Sequence, residues 1–148
     1  MTGLQTWEAR GAADDLTATE CWRRLARHHR GRIALADNGA PGIYSVDYVT
    51  TATALVFRTA ERERLRRFSD GARIAFEVDV ELERELWSVM LVGTARQLAS
   101  GPVSRWVAKF PARPVTEAYV YIHVTPAEVR GRVWKSPDDV APVARLTR

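Results

Sequence analysis

The sequence predicts a mainly β (α+β) fold, a closed antiparallel barrel with a leading N-terminal helix and short helices plugging its gaps. Three observations carry this. Residues 32–98 alternate between apolar and polar side chains in the strand manner. Turn-forming residues punctuate that stretch at short spacing. No strand is followed by the long amphipathic crossover that a parallel βαβ unit needs. Meandering antiparallel strands remove their exposed edges by closing on themselves.

The elements follow in order. Residues 1–15, "MTGLQTWEARGAADD", are polar and rich in Gly and Ala, and are expected to form a flexible leader before a single domain spanning 16–148. Thr17 and Glu20 make a T-x-x-E capping box, with Leu16 and Cys21 at the hydrophobic-staple positions. Cys21, Trp22, Leu25 and Ala26 form an apolar stripe opposite Arg23, Arg24 and Arg27. Gly31 supplies a stop, so a helix is predicted over 18–30. "RIALAD", "IYSVDYVT" and "TALVFRT" read as strands, the first two joined by the turn "NGAPG". "ARIAFEVDV" has period two, with Ile74, Phe76, Val78 and Val80 on one face and Arg73, Glu77 and Asp79 on the other. "LWSVMLVGTARQLA" is a long strand in which Gly93 marks a bulge or a close backbone approach. Short helices are expected at "AERERLRRF", with Leu65 and Phe68 as its apolar contacts, and at "PVSRWVAKF". "AYVYIHVTP" is the last strong strand, and "EVRGRVW" extends it past a kink.

Composition narrows the function classes. The chain has 148 residues, 46% hydrophobic and 27% charged, the balance of one globular domain. No apolar run approaches the roughly 20 residues of a membrane span, and no apolar signal segment opens the chain. The single cysteine, Cys21, cannot form an internal disulfide, and no Cys/His cluster has zinc spacing. A cytoplasmic location is the simplest expectation. The net charge of +4 favours a phosphate-bearing partner without choosing between a small nucleotide and a polymer.

Catalytic hardware is sparse. His28 and His29 close the predicted helix, where imidazoles interact with the macrodipole. His123 shares a strand face with Tyr119 and Tyr121, opposite Val120, Ile122 and Val124. Cys21 falls on the apolar helix face and reads as a buried hydrophobe. The acidic pairs Asp14-Asp15 and Asp138-Asp139 read as solvated turns or caps. No Ser/His/Asp set can be assembled, so no catalytic residue and no metal ligand is assigned. The densest feature is "VFRTAERERLRRFSD". Arg58 and Thr59 end a strand at a helix start, a combination that suits phosphate. Read alone, the segment favours a plainer reading, a Thr59 N-cap with Glu61 and Glu63 paired to arginines at i,i+4.

Over about residues 16–98 and 119–134 the chain resembles the pyridoxamine 5′-phosphate oxidase-like family of flavin-nucleotide-binding split β-barrels. The carrying segments are "LTATECWRRLARHHRGRIAL", "GAPGIYSVDYV", "LVFRTAERERL", "RIAFEVD", "WSVMLVGTARQL" and "IHVTPAEVRGRV". The resemblance implies a homodimer of split barrels with FMN in clefts at the interface. By position it implies Ser45, Val46, Asp47 and Tyr48 along the isoalloxazine ring. Arg58 and Thr59 then lie near the ribityl and phosphate, Arg64 holds the phosphate, and Trp87 and Ser88 approach from the other side. Two departures stand out. Asp47 replaces a commoner Asn and would repel an anionic reduced flavin. Glu61 and Glu63 fill places near the phosphate where small or hydroxyl residues are usual.

The leading expectation is therefore an FMN-dependent oxidoreductase of this class, with the substrate unassigned. A deazaflavin- or haem-binding barrel is the alternative, with His123 the available haem ligand. A dimeric interaction protein without cofactor is a third reading, motivated by Glu61 and Glu63. Nucleic-acid binding through the arginine segment ranks last, because glutamates interrupt the basic face. Within that segment, Arg58 and Arg64 are expected to face the cleft and Arg62, Arg66 and Arg67 the solvent.

Overall fold

The computed structural model describes residues 13–37, 39–60, 68, 71–99, 105–113 and 118–136. In chain order these form β1 (Asp14–Leu16), α1 (Ala18–Leu25), β2 (Arg30–Asp37), β3 (Ala40–Thr50), β4 (Leu55–Thr59), β5 (Ala72–Glu81), β6 (Glu85–Gln97) and β7 (Val120–Lys135). The sheet runs β1-β7-β4-β3-β2-β5-β6, and a further β6–β7 pairing closes it. Every pairing is antiparallel. The result is the split barrel expected from the sequence, with β7 long enough to pair with β4 at one end, β1 at the other and β6 along nearly its whole length.

Strand alternation builds the core. Ile33 and Leu35 of β2, Val46 and Tyr48 of β3, Leu55 and Phe57 of β4, and Ile74, Phe76 and Val78 of β5 point inward. Tyr48 packs edge-on against Phe76 at 4.9 Å, and Phe57 against Phe68 at 5.6 Å. Each such large side chain contributes about 1.5–3 kcal/mol on burial. A second, smaller cluster lies on the opposite face of the sheet. Val49, Val56 and Tyr121 are covered there by Trp106 and Phe110 from a helical turn at 105–107 and the residues after it. This is the described part of the expected "PVSRWVAKF" helix. The expected helix at "AERERLRRF", with Leu65 and Arg64, lies outside the described residues, although Phe68 is buried as its pattern required.

Helix α1 starts as predicted. Glu20 N–H donates to Thr17 Oγ1 at 3.2 Å, and Thr17 N–H to Glu20 Oε2 at 3.0 Å. It is shorter than predicted, ending at Leu25 rather than at 30. Sheet pairing wins over helix propagation. The Tyr48 hydroxyl donates to the Leu25 carbonyl at 2.6 Å, and Tyr48 N–H to the His29 carbonyl at 2.9 Å. Arg30 is thereby drawn into register with Asp47. Gly31 is not the helix stop but a strand residue of β2, where a Cβ would overlap the Phe76 ring.

Three further boundaries differ from expectation. Asp14 and Asp15 sit in β1, paired with Val133 and Arg132, rather than in a polar turn. Ala40, Pro41 and Gly42 of the expected turn already belong to β3. "AYVYIHVTP" and "EVRGRVW" are one strand, and the expected kink is a bulge. Val92 pairs with Glu128 but Gly93 with Pro126, leaving Ala127 extra. Gly93 is required there, because a Cβ would collide with the Thr125 carbonyl. Among the described residues, no helix is long and apolar enough to cross a membrane.

Candidate functional site

Sheet register assembles a charged site on the outer face of β2, β3 and β4. Arg30 stands opposite Asp47, Asp47 opposite Arg58, and Arg58 opposite Tyr121, one row across four strands. A fourth charged residue, Arg113, reaches the row from the segment after the 105–107 turn. Asp47 is 3% exposed and stands at the centre. Its Oδ2 accepts from Arg58 Nε at 3.2 Å, Arg58 Nη2 at 2.9 Å and Arg113 Nε at 2.7 Å. Its Oδ1 accepts from Arg113 Nη2 at 2.8 Å and Arg30 Nη1 at 3.0 Å.

The electrostatics follow from these bonds. Burial pushes the Asp47 carboxyl up, but hydrogen bonds from Arg113, Arg30 and Arg58 outweigh it and hold the group down at about 2. Three guanidiniums surround one carboxylate, so the row carries an excess of positive charge. The row as a whole is therefore positive, which offsets the repulsion of an anionic reduced flavin expected from Asp47 alone. Arg58 is itself buried and fixed: its guanidinium lies 4.1 Å from the Tyr119 ring centroid and 4.9 Å from that of Phe110, and Nη2 also donates to the Pro111 carbonyl.

The other expected site residues separate. Alternation along β3 forbids Ser45, Val46, Asp47 and Tyr48 from presenting four side chains to one ring. Val46 and Tyr48 point into the core, and burial pushes the Tyr48 phenol well up. Ser45 and Asp47 face outward. Ser45, Val46 and Thr59 do come together around a small cavity of about 30 Å³ closed by Phe68. On β6, Trp87 and Ser88 point to opposite faces. Trp87 is 3% exposed in the core, in edge contact with His28 at 5.2 Å, so its side chain does not reach a ligand on the outer face. Ser88 instead opens into an outer groove of about 560 Å³, with Met90, Trp134, Arg130 and Arg132 among its walls. His123 is half-buried between Val56 of β4 and Arg96 of β6. Among the described residues no group of three His, Cys, Asp or Glu side chains could hold a metal.

Sequence reasoning missed Arg30 and Arg113. The predicted helix concealed Arg30, since its strand pairing depends on where α1 ends. Arg113 lies in "FPARP", which has no periodicity to report a partner sixty-six residues away. The available signal was charge alone: an outward Asp on a barrel strand requires cations only once other segments cover it, as here.

The sequence profile of the pyridoxamine 5′-phosphate oxidase family matches residues 17–133. The chain belongs to that family. Solved structures share the fold of this family member. A candidate pyridoxamine 5′-phosphate oxidase of Corynebacterium glutamicum superposes with a TM-score of 0.73 at 23% identity, over 84% of this chain and 99% of that one. An FAD binding protein of Mycobacterium smegmatis gives 0.69 at 25% identity, over 84% and 99%. An FAD and heme binding protein of the same organism gives 0.61 at 16% identity, over 87% and 80%. No curated protein matches this family member.

Proposed function

We propose that this member of the pyridoxamine 5′-phosphate oxidase family binds a flavin nucleotide, FMN first among them, and serves as a small oxidoreductase. The single observation that carries the reading is the family match across residues 17–133, joined by an FAD-binding structural relative at 25% identity. The donor set suits such a ligand. Arg30 and Arg113 offer guanidinium groups on the outer face, Ser45 and Thr59 meet at the small cavity beside Phe68, and the Ser88 groove has Trp134 and Met90 among both basic and acidic residues. A bound flavin would supply the electron- and hydride-transfer chemistry, while the chain's residues bind and orient it and its substrate.

In this proposal Thr59 and Arg64 meet the phosphate. Arg58 holds Asp47 and is not itself a direct phosphate ligand. Ser45 and Asp47 edge the ring site, and Ser88 lines the groove that completes it. A homodimer is part of the same reading. Trp87 and Tyr121 are buried within the protomer. The outer face of β3, β2, β5 and β6 instead carries an apolar row of Ile43, Ala34, Ala75 and Val92, with Met90 in the row beside it. Ile43 is 71% exposed and Met90 38%. Such a strip on a monomer marks an interface.

The visible absorption spectrum of the purified protein tests the cofactor. A flavin spectrum supports the proposal, a Soret band transfers the site to haem, and a colourless protein that takes up no added FMN or FAD overturns it. If Arg64 meets the phosphate, Arg64→Ala weakens FMN binding by about one to two orders of magnitude, the loss of one charge-assisted hydrogen bond.

A further inference from the structure

We propose that Arg30 and Arg113, presented by Asp47, form a binding site for a phosphate monoester. The inference does not depend on flavin binding, because it concerns only the charge and donors around Asp47.

The Asp47 carboxylate is oversupplied. It accepts five N–H bonds from three arginines, against about four lone-pair positions on two oxygens. Arg58 alone neutralises it. That side chain is 5% exposed, bonds Oδ2 through two nitrogens and is held between Tyr119 and Phe110. Arg30 and Arg113 are therefore surplus to the buried pair. Their side chains remain 54% and 41% exposed. Each guanidinium has five N–H donors, of which Arg30 spends one on Asp47 and Arg113 two. Donors remain on two outward forks whose inner ends share one carboxylate.

The site is also rigid. Arg30 lies on β2 and Asp47 on β3 in direct register. The segment carrying Arg113 is tied down at Pro111, whose carbonyl accepts from Arg58. Forks anchored in this way lose little freedom when an anion arrives. Charge selects the ligand. The excess of two positive charges matches a phosphate monoester dianion, formed above a second ionisation near pH 6, whereas a carboxylate would leave half of it uncompensated.

The phosphate can be that of a nucleotide or of a separate small molecule, and one experiment distinguishes them. Arginine Nε–Hε NMR signals are followed as inorganic phosphate is added at constant ionic strength and neutral pH. Arg30 and Arg113 signals should shift in a saturable way, while Arg24, ion-paired with Glu85, should not. Arg113→Gln and Arg30→Gln should each weaken the response about tenfold or more, as expected for a lost charge-assisted hydrogen bond. Amide spectra of both variants verify that they fold. Repetition with FMN present separates the sources: competition would move the nucleotide phosphate from Thr59 and Arg64 to this site, and undiminished phosphate binding assigns it to a second, phosphate-bearing ligand. A linear, non-saturating shift, or unchanged affinity in both folded variants, overturns the proposal.

Discussion

Asp47 was singled out in the sequence without the partners that surround it. Its outward position follows from strand alternation and its pairing with Arg58 from the β3–β4 register, neither of which was read from the sequence. Its charge environment was not legible there, because Arg113 arrives from a segment without a pattern. Removing the charge leaves Arg58 buried beside an amide. Asp47→Asn is expected to destabilise the fold by about 3 kcal/mol, the low end for breaking a buried pair from one side. Urea unfolding checks this; a loss below about 1 kcal/mol would mean that Arg58 finds other compensation. The same carboxylate sets an acid limit. Its folded value of about 2 lies below the ordinary 3.8. Its contribution, about 2 kcal/mol, is thus complete above the unfolded value and disappears as pH falls through the folded one. Between pH 5 and pH 2, wild type should lose that much more stability than Asp47→Asn.

At the scale of elements, local signals located starts better than ends. The Thr17–Glu20 box fixed the first turn of α1, since both partners lie within four residues. The C-terminus was set by Tyr48, twenty-three residues beyond Leu25, whose hydroxyl and N–H capture the chain as it leaves the helix. The same logic explains β1. Nothing in "DDL" declares a strand, and only the length of β7 beyond its pairing with β4 provides its partner. Gly93 was readable because a glycine inside an otherwise apolar strand needs a reason. Gly93→Ala would force its Cβ against the Thr125 carbonyl, a backbone atom that cannot rotate away. It is expected to cost about 1–3 kcal/mol, as overpacking does. A melting temperature unchanged from wild type would show that the bulge can open.

The whole molecule was the most legible level. A closed antiparallel barrel with one leading helix follows from period-two strands and the lack of crossovers, and the ring order bears it out. What the chain binds lies partly in charge geometry that only the closed ring creates. In the proposed homodimer the exposed Ile43 and Met90 would meet a partner copy on the outer sheet face. Sedimentation equilibrium should give twice 16.6 kDa at micromolar concentration, and Ile43→Asp with Met90→Asp should return the monomer. A wild-type monomer would remove the interface. The central claim, that this barrel holds a flavin nucleotide, is tested most directly by calorimetric titration of FMN into the cofactor-free protein. Saturable binding of one FMN per chain is the predicted result, and no detectable binding of FMN at high micromolar concentration would contradict it.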